Sequence, residues 1–363
     1  MLKIQAVQAA FGDCFIVRYG TAAAPRFMLI DGGPKGNFNA HLKTALRQIK
    51  SAGHDLDLVV LSHVDIDHVA GLNDYLSGLR AGATNLPAAG ALWHNSFSQT
   101  IAEGTDIESR FKSLMSVQGA QSMAHAGIAV QGVAEGHKLR LDAQVLQIPV
   151  NDGFPDGLIL VDTAPNPITL DNLTITVVGP TEANLAELRK KWEKWLEENE
   201  DAVGRGDLGF LANSDNSVPN LSSVMFLIEG DGKTVLFTGD GRSDHLLDGL
   251  GQAGLLDSEG KLHVDVFKVG HHGSNRNVTK TFFRKVTANF YLISADGAND
   301  NPDFDTLKWI VEVAAEQSFV PTLLLTNSTP SLERLIQEFP PGNDSYLFKV
   351  LDSGNDWMTL DLS

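Results

Sequence analysis

The chain has 363 residues, of which 43% are hydrophobic and 20% charged, a balance that excludes a disordered chain and suffices for a large core. Its formal net charge of −17 disfavours broad, sequence-independent binding to the phosphates of a long duplex, although divalent cations would still let it take a smaller phosphodiester. Cys14 is the only cysteine, so an intramolecular disulfide and a thiolate zinc site are both excluded.

The first 95 residues follow an alternating pattern of strands and helices. The N-terminus alternates like a strand and lacks the apolar segment of a signal peptide, and no apolar run approaches the ~20 residues of a membrane span, so we expect a cytoplasmic protein. Periodicity and turn residues predict strands over 1–7, 14–19, 26–30, 57–61 and 90–94, and helices over 41–52 and 67–80.

The densest group of candidate metal-binding residues in the chain follows the predicted strand 57–61. His63, Asp65, Asp67 and His68 fall within six positions, directly before a predicted helix. Imidazole nitrogens and carboxylate oxygens are donors that bind zinc, manganese or iron. This spacing therefore indicates a metal site at the end of a buried sheet, where side chains are both rigid and reachable.

The middle of the chain, residues 95–217, has a different pattern and is predicted to form an insert or lid within a single domain of residues 1–363. Thr181 is expected to cap a long amphipathic helix with charges of both signs. The pattern predicts helices over 104–126 and 181–202, short strands over 144–149, 158–162 and 173–178, and a loop over 204–219.

The last third returns to alternating strands and helices. It begins with a hairpin of strands 222–229 and 234–238 around Gly230-Asp231-Gly232, a strong turn signal. Further strands are predicted over 264–269, 290–294, 321–325, 345–350 and 357–362, and helices over 243–253, 279–286 and 304–317. The whole pattern favours a layered α/β fold.

Three more polar clusters stand at the ends of predicted strands. They are Asp31-Gly32-Gly33, Thr238-Gly239-Asp240 and Gly270-His271-His272-Gly273-Ser274. Glycines beside such residues let the backbone approach an ion or a phosphate. A single aspartate at a strand end often only caps a helix, so it is the recurrence of these clusters that favours a functional site.

Together the motif 63–68, Thr238-Gly239-Asp240 and the segment 269–274 resemble those of the metallo-β-lactamase-fold superfamily, and within it they are most similar to the hydrolase domain of the competence protein ComEC. The resemblance covers about residues 1–95 and 218–325. It implies an α/β fold, a four-layer αββα sandwich, to which this chain adds a partly helical central insert.

The resemblance also implies two divalent metal ions, zinc or manganese. His63 and Asp65 would belong to the first metal position, Asp67 and His68 to the second, and Asp240 would bridge them. A histidine of the pair His271-His272 would complete the second position, His272 being favoured as the ligand and His271 as a group facing substrate. The common pattern has histidine where Asp65 stands, and a carboxylate is a harder donor that favours manganese.

The implied mechanism is hydrolysis by a metal-bound hydroxide, with Asp65, Asp67 and His271 as catalytic residues. His94, at the end of a predicted strand, is a candidate metal ligand, substrate contact or structural residue, and is taken here with the substrate-binding candidates. Those candidates are His94, Asn220, Ser222, Ser274 and Asn301.

The leading functional hypothesis is cleavage of a phosphodiester in a nucleotide or single-stranded nucleic acid, with no membrane involved. One alternative is hydrolysis of a carboxylic ester, thioester or lactone, because one fold hosts many reactions. Another is a non-enzymatic, metal-poor scaffold that binds a protein partner through the insert 95–217. The sequence indicates no oligomeric state.

Overall fold

A computed structural model describes residues 1–96, 99–100, 128–198 and 222–363. The described strands form two sheets. The first sheet has six strands in the order β14-β1-β2-β3-β4-β5, with β3, β4 and β5 parallel and the others antiparallel. Its strands are β1 (Lys3–Val7), β2 (Phe15–Gly20), β3 (Pro25–Ile30), β4 (Leu58–Val60), β5 (Leu92–Trp93) and β14 (Trp357–Asp361).

The second sheet has eight strands in the order β13-β12-β11-β10-β9-β8-β7-β6. A parallel block from β9 to β13 joins an antiparallel block from β6 to β9. Its strands are β6 (Ile168–Leu170), β7 (Leu173–Gly179), β8 (Met225–Gly230), β9 (Lys233–Phe237), β10 (Leu262–Lys268), β11 (Val286–Ile293), β12 (Thr322–Leu325) and β13 (Leu347–Val350).

Helices cover the outer face of each sheet. The described α-helices are α1 (Lys43–Ser51), α2 (Ile66–Arg80), α3 (Ile128–Val145), α4 (Glu182–Glu198), α5 (Ser243–Gln252), α6 (Lys280–Lys285), α7 (Phe304–Glu316) and α8 (Pro330–Glu338). Side chains of α1, α2 and α3 pack on the first sheet, and those of α5 to α8 on the second. A third apolar cluster fills the space between the sheets. The expected four-layer αββα sandwich is therefore confirmed.

Most predicted elements of the first and last thirds are present, with ends shifted by a few residues. The predictions of two short strands in the insert were wrong. Residues 144–149 contain the end of α3 and a turn, and residues 158–162 form no strand. The helices α3 and α8 were missed. In α8, Thr329 caps the helix by accepting a hydrogen bond from the Leu332 amide, and proline follows at its first position. The predicted helix 104–126 and loop 204–219 lie outside the described residues.

The described helices include none with the length and apolar character needed to cross a membrane. Of the insert 95–217, the structure describes residues 95–96, 99–100 and 128–198. There α4 begins as expected, because the Thr181 hydroxyl accepts a hydrogen bond from the Asn184 amide at 3.2 Å. Whether the insert acts as a lid or as a partner-binding surface stays a prediction.

Candidate metal centre

The polar strand-end clusters meet at one edge of the sandwich. The motif loop follows β4, Asp31 follows β3, Asp240 follows β9, and a tight turn over Gly270–Gly273 follows β10. Hydrogen bonds join the two sheets at this edge, among them one from the Val224 amide to the Ser62 carbonyl at 2.8 Å. Each sheet therefore contributes part of a single cluster.

Asp240 lies at the centre of that cluster and is 2% exposed. Its Oδ1 is 3.4 Å from His68 Nε2. Its Oδ2 is 3.7 Å from His63 Nε2 and 3.5 Å from His272 Nε2. Oδ1 thus faces His68 and Oδ2 faces both His63 and His272, so this one carboxylate lies within reach of all three buried histidines.

The second ring nitrogen of each central histidine is held by the protein. His68 Nδ1 is 2.9 Å from Asp31 Oδ2, and His272 Nδ1 is 2.9 Å from the Ser294 carbonyl. His63 Nδ1 is 3.1 Å from Ser62 Oγ, which itself donates to Asp31 at 2.7 Å. Such contacts fix the orientation of the ring and leave Nε2 free to coordinate a metal.

The inward-facing donor atoms have no hydrogen-bond partner among the described residues, although they are buried. They are Nε2 of His63, His68 and His272, together with Oδ1 of Asp65 and Asp240. Leaving so many buried polar atoms unpaired is costly unless a ligand satisfies them. Two sets of three residues have the spacing to bind an ion, His63-His68-Asp240 and Asp67-His68-His272.

The donor separations fit a metal ion as well. Those around Asp240 and between His272 Nε2 and Asp67 Oδ2 run from 3.3 to 3.7 Å. Two donors about 2.1 Å from a common tetrahedral ion are about 3.4 Å apart. The residues present therefore fit a divalent cation.

The charges of the cluster shift the pKa values of its members. Burial alone would lower the pKa of His68, but Asp240 and Asp31 raise it well above its ordinary value, and Asp240 and Asp13 do the same for His272. Burial raises the pKa of Asp67, yet His68 and His272 lower it to about 2. Without metal, these histidines therefore hold protons that a metal would displace.

The structure separates the two adjacent histidines of the turn. His272 is buried and belongs to one of the metal-binding sets, whereas His271 stands at the rim with 31% of its side chain exposed and Nε2 3.9 Å from Asp240 Oδ2. Both adopt left-handed backbone conformations, with φ of 48° and 55°. Burial lowers the pKa of His271 in spite of nearby Asp240, so its ring is neutral near pH 7.

Asp65 and Asp67 lie at the start of α2. Asp65 occupies the N-cap position of the helix, but its side chain makes no capping hydrogen bond. Its Oδ2 is instead 3.5 Å from His63 Nε2. Asp67, in the first turn, has Oδ2 3.9 Å from His68 Nε2. Both carboxylates are thus turned towards the cluster.

The substrate-binding candidates are distributed differently. Ser274 is buried directly after the His271-His272 turn, and Asn301 is buried at the end of a neighbouring turn over Ala298–Asp300. His94 belongs to neither metal-binding set. Its buried ring lies against α3, where a Cβ added at Gly136 would be 3.3 Å from Nε2. Ser222 is half-buried, and Asn220 lies outside the described residues.

Sequence reasoning assigned no role to three buried residues of this cluster, Asp13, Ser62 and Lys268. Lys268 is 1% exposed and forms an ion pair with Asp13. A signal was present in the sequence, because lysine is almost never fully buried unless paired, yet Lys268 stands within an apolar strand.

Comparisons with known proteins add the following. Residues 9–137 match the sequence model of the family described as the Metallo-beta-lactamase superfamily. Comparison with curated proteins gave no match. One similar solved structure is the metallo-beta-lactamase fold protein YhfI from Bacillus subtilis, with 11% identity, coverage of 99% of this chain and 98% of that chain, and a TM-score of 0.39.

Another is zinc-bound PqqB from Methylobacterium extorquens, with 13% identity, coverage of 100% of both chains and a TM-score of 0.40. The family match includes the motif loop and ends within α3. Asp240, Lys268 and His272 therefore lie beyond it, and only the fold brings them to the motif.

Proposed function

We propose that this protein is a metal-dependent hydrolase of the metallo-beta-lactamase superfamily and that it cleaves a phosphodiester bond in a nucleotide or a single-stranded nucleic acid. The observation that carries the proposal is the carboxylate of Asp65 beside His63, where the common superfamily pattern has histidine. A harder donor set suits manganese and phosphoryl oxygens. The similarity of the motifs to those of ComEC-type domains supports the same choice.

Two divalent ions, zinc or manganese, are assigned to the cluster. His63, Asp65 and Asp240 would hold the first, and Asp67, His68, Asp240 and His272 the second. When bound, such ions activate water and offset the charge that develops on the scissile group. The rest of the chemistry belongs to the side chains around them.

Asp65 is the best placed proton acceptor. Its Oδ1 is buried and has no hydrogen-bond partner among the described residues, so it is available to orient a water molecule or to take its proton. Asp67 is the second candidate for that role, but His68 and His272 hold its pKa at about 2, which makes it a weak base.

His271 is placed to contact substrate. It is the most exposed histidine of the cluster, and because its ring is neutral near pH 7 it can donate one hydrogen bond to an anionic oxygen. Ser274 and Asn301, which lie on the same side of the second sheet, are assigned to the flanking phosphate. The acidic surface favours a small or single-stranded substrate over a long duplex.

The test compares a p-nitrophenyl phosphodiester with a lactone, each assayed with manganese and with zinc. We expect turnover of the phosphodiester, faster with manganese, and a loss of at least about 100-fold in kcat in Asp240→Asn, since one bridging ligand holds both ions. Asp265→Asn, which removes a carboxylate bound to Lys233 and Thr234, is the matched control. Turnover of the lactone alone would assign the site to ester chemistry.

A further inference from the structure

A second group of carboxylates lies behind the metal-binding histidines. Asp13 and Asp31 are both buried, and Asp31 contacts the rear nitrogen of His68. Asp13 Oδ1 is 3.5 Å from Nδ1 of His272, the ring nitrogen that faces away from the metal-binding sets. Two further sets of three residues also have the spacing of a metal site, Asp13-Asp31-His68 and Asp13-Asp240-His272. We call these two the inner sets, and the sets His63-His68-Asp240 and Asp67-His68-His272 the outer sets. Asp13 belongs to both inner sets.

The ammonium group of Lys268 lies beside Asp13, behind the metal-binding histidines. The group forms an ion pair with Asp13, donates a hydrogen bond to the Gly239 carbonyl at 2.8 Å and lies 3.7 Å from Asp240 Oδ1. The side chain extends from the end of β10, just before the turn that carries His272, and is 1% exposed. It therefore places a positive charge on the one residue that the two inner sets share.

With neutral histidines, and with water rather than hydroxide at the site, the charges of the whole cluster balance only when Lys268 is included. The five carboxylates of Asp13, Asp31, Asp65, Asp67 and Asp240 carry five negative charges, of which two divalent ions would neutralise four. One ammonium group supplies the remaining positive charge. Asp13, Asp31 and Asp240 are at most 2% exposed, and an unpaired charge at that depth would be strongly unfavourable, so the balance constrains what the inner part of the site can contain.

We propose that Lys268 is a positioning residue, a fixed internal cation that keeps metal ions out of the inner sets and confines them to the outer ones around His63, Asp67 and Asp240. The inference rests on the proposed metal centre and deepens it. Lys268 touches no substrate; it acts by holding Asp13 and the backbone of Gly239 beside Asp240.

The experiment counts metal ions. Wild-type protein and Lys268→Met are saturated with manganese, freed of excess ion by gel filtration and analysed by elemental mass spectrometry. We expect Lys268→Met to retain about one equivalent more than wild type, because Asp13 becomes free to bind an ion. The double variant Lys268→Met/Asp13→Asn should return to the wild-type number, since it removes both charges.

Lys233→Met is the matched control, because it removes a lysine from a carboxylate ion pair with Asp265 elsewhere on the same sheet, and its metal number should not change. If Lys268→Met does not fold, Lys268→Gln, which keeps a hydrogen-bond donor but no charge, is counted in its place: about one additional equivalent of metal supports the inference, and the wild-type number contradicts it. A wild-type number in folded Lys268→Met also contradicts it. Wild-type protein that binds no metal overturns the proposed function instead.

Discussion

At the scale of single residues, the cluster depends on charges that oppose each other within a few ångströms. Asp240 and its neighbours raise the pKa values of His68 and His272, and those histidines depress the pKa of Asp67. In the metal-free chain these pairs hold the site together. When metal binds, the same histidines must give up their protons to become ligands.

This exchange predicts a particular pH dependence of stability. A histidine with a raised folded-state pKa contributes its full stabilisation below its ordinary value of 6.5 and loses it as the pH rises through the folded-state value. Asp67 contributes above its ordinary 3.8 and loses its contribution as the pH falls towards 2. Chelator-treated protein should therefore melt at lower temperatures as the pH is raised above 6.5.

Metal-loaded protein should not show that decline, because neutral histidines are then ligands. Thermal unfolding between pH 6 and 9, with and without chelator, provides the comparison. Parallel curves for the two forms would contradict the assignment of His68 and His272 to the metal.

At the scale of elements, α3 and the motif loop depend on each other. Gly132 and Gly136 are one turn apart on α3 and face the loop. A Cβ added at Gly132 would lie 2.6 Å from the Val64 carbonyl oxygen, and one at Gly136 would lie 2.7 Å from Val64 Cγ1. Asn73 on α2 ties the helix down by donating hydrogen bonds to Glu135. This helix of the insert is thus packed directly on the motif loop.

We therefore expect Gly132→Ala to destabilise the protein by about 1–3 kcal/mol and to weaken metal binding, because the carbonyl it meets is backbone and has little room to move. Alanine in place of glycine within a helix ordinarily stabilises by about 1 kcal/mol. Gly251→Ala on α5 is the control, since its Cβ would meet only Leu256 at 3.7 Å. Chemical denaturation and manganese titration of both variants measure the difference, and equal effects at the two positions would rule out the close contact.

The sequence predicted the strand-end clusters of the site but not the helix that packs on them. The strand-end clusters at Asp31, Asp240 and His272 were recognisable because polar residues and glycines interrupt apolar runs. The helix α3 was not, since glycines on its packed face remove the apolar periodicity that marks a buried helix. The pairing of Asp13 with Lys268 joins residues 255 positions apart, and only the topology of the two sheets brings them together.

At the scale of the whole molecule, the centre spans the two sheets. The first sheet supplies His63 through the loop after β4 and His68 through the first turn of α2, and the second supplies Asp240 and His272 through the segments that follow β9 and β10. An ion held by residues of both halves would tie the sheets together at this edge. Its binding free energy therefore adds to the stability of the fold as a unit.

Removal of metal should accordingly lower the melting temperature of the whole protein in a single transition, by about 5 °C or more if metal had been present at about 1,000 times its dissociation constant. Differential scanning calorimetry with and without chelator measures the shift. Asp240→Asn is the control and should melt at the same temperature under both conditions. Two separate transitions would indicate that the sheets unfold independently.

The left-handed backbone of His271 and His272 lowers the stability of the turn that carries them. Two consecutive residues with side chains at positive φ cost about 1–2 kcal/mol each, a cost that glycine at the same positions would avoid. Selection for stability alone would therefore replace them with glycine and lose two imidazoles from the centre. The turn thus gives up part of its own stability to bring two imidazoles to the candidate centre.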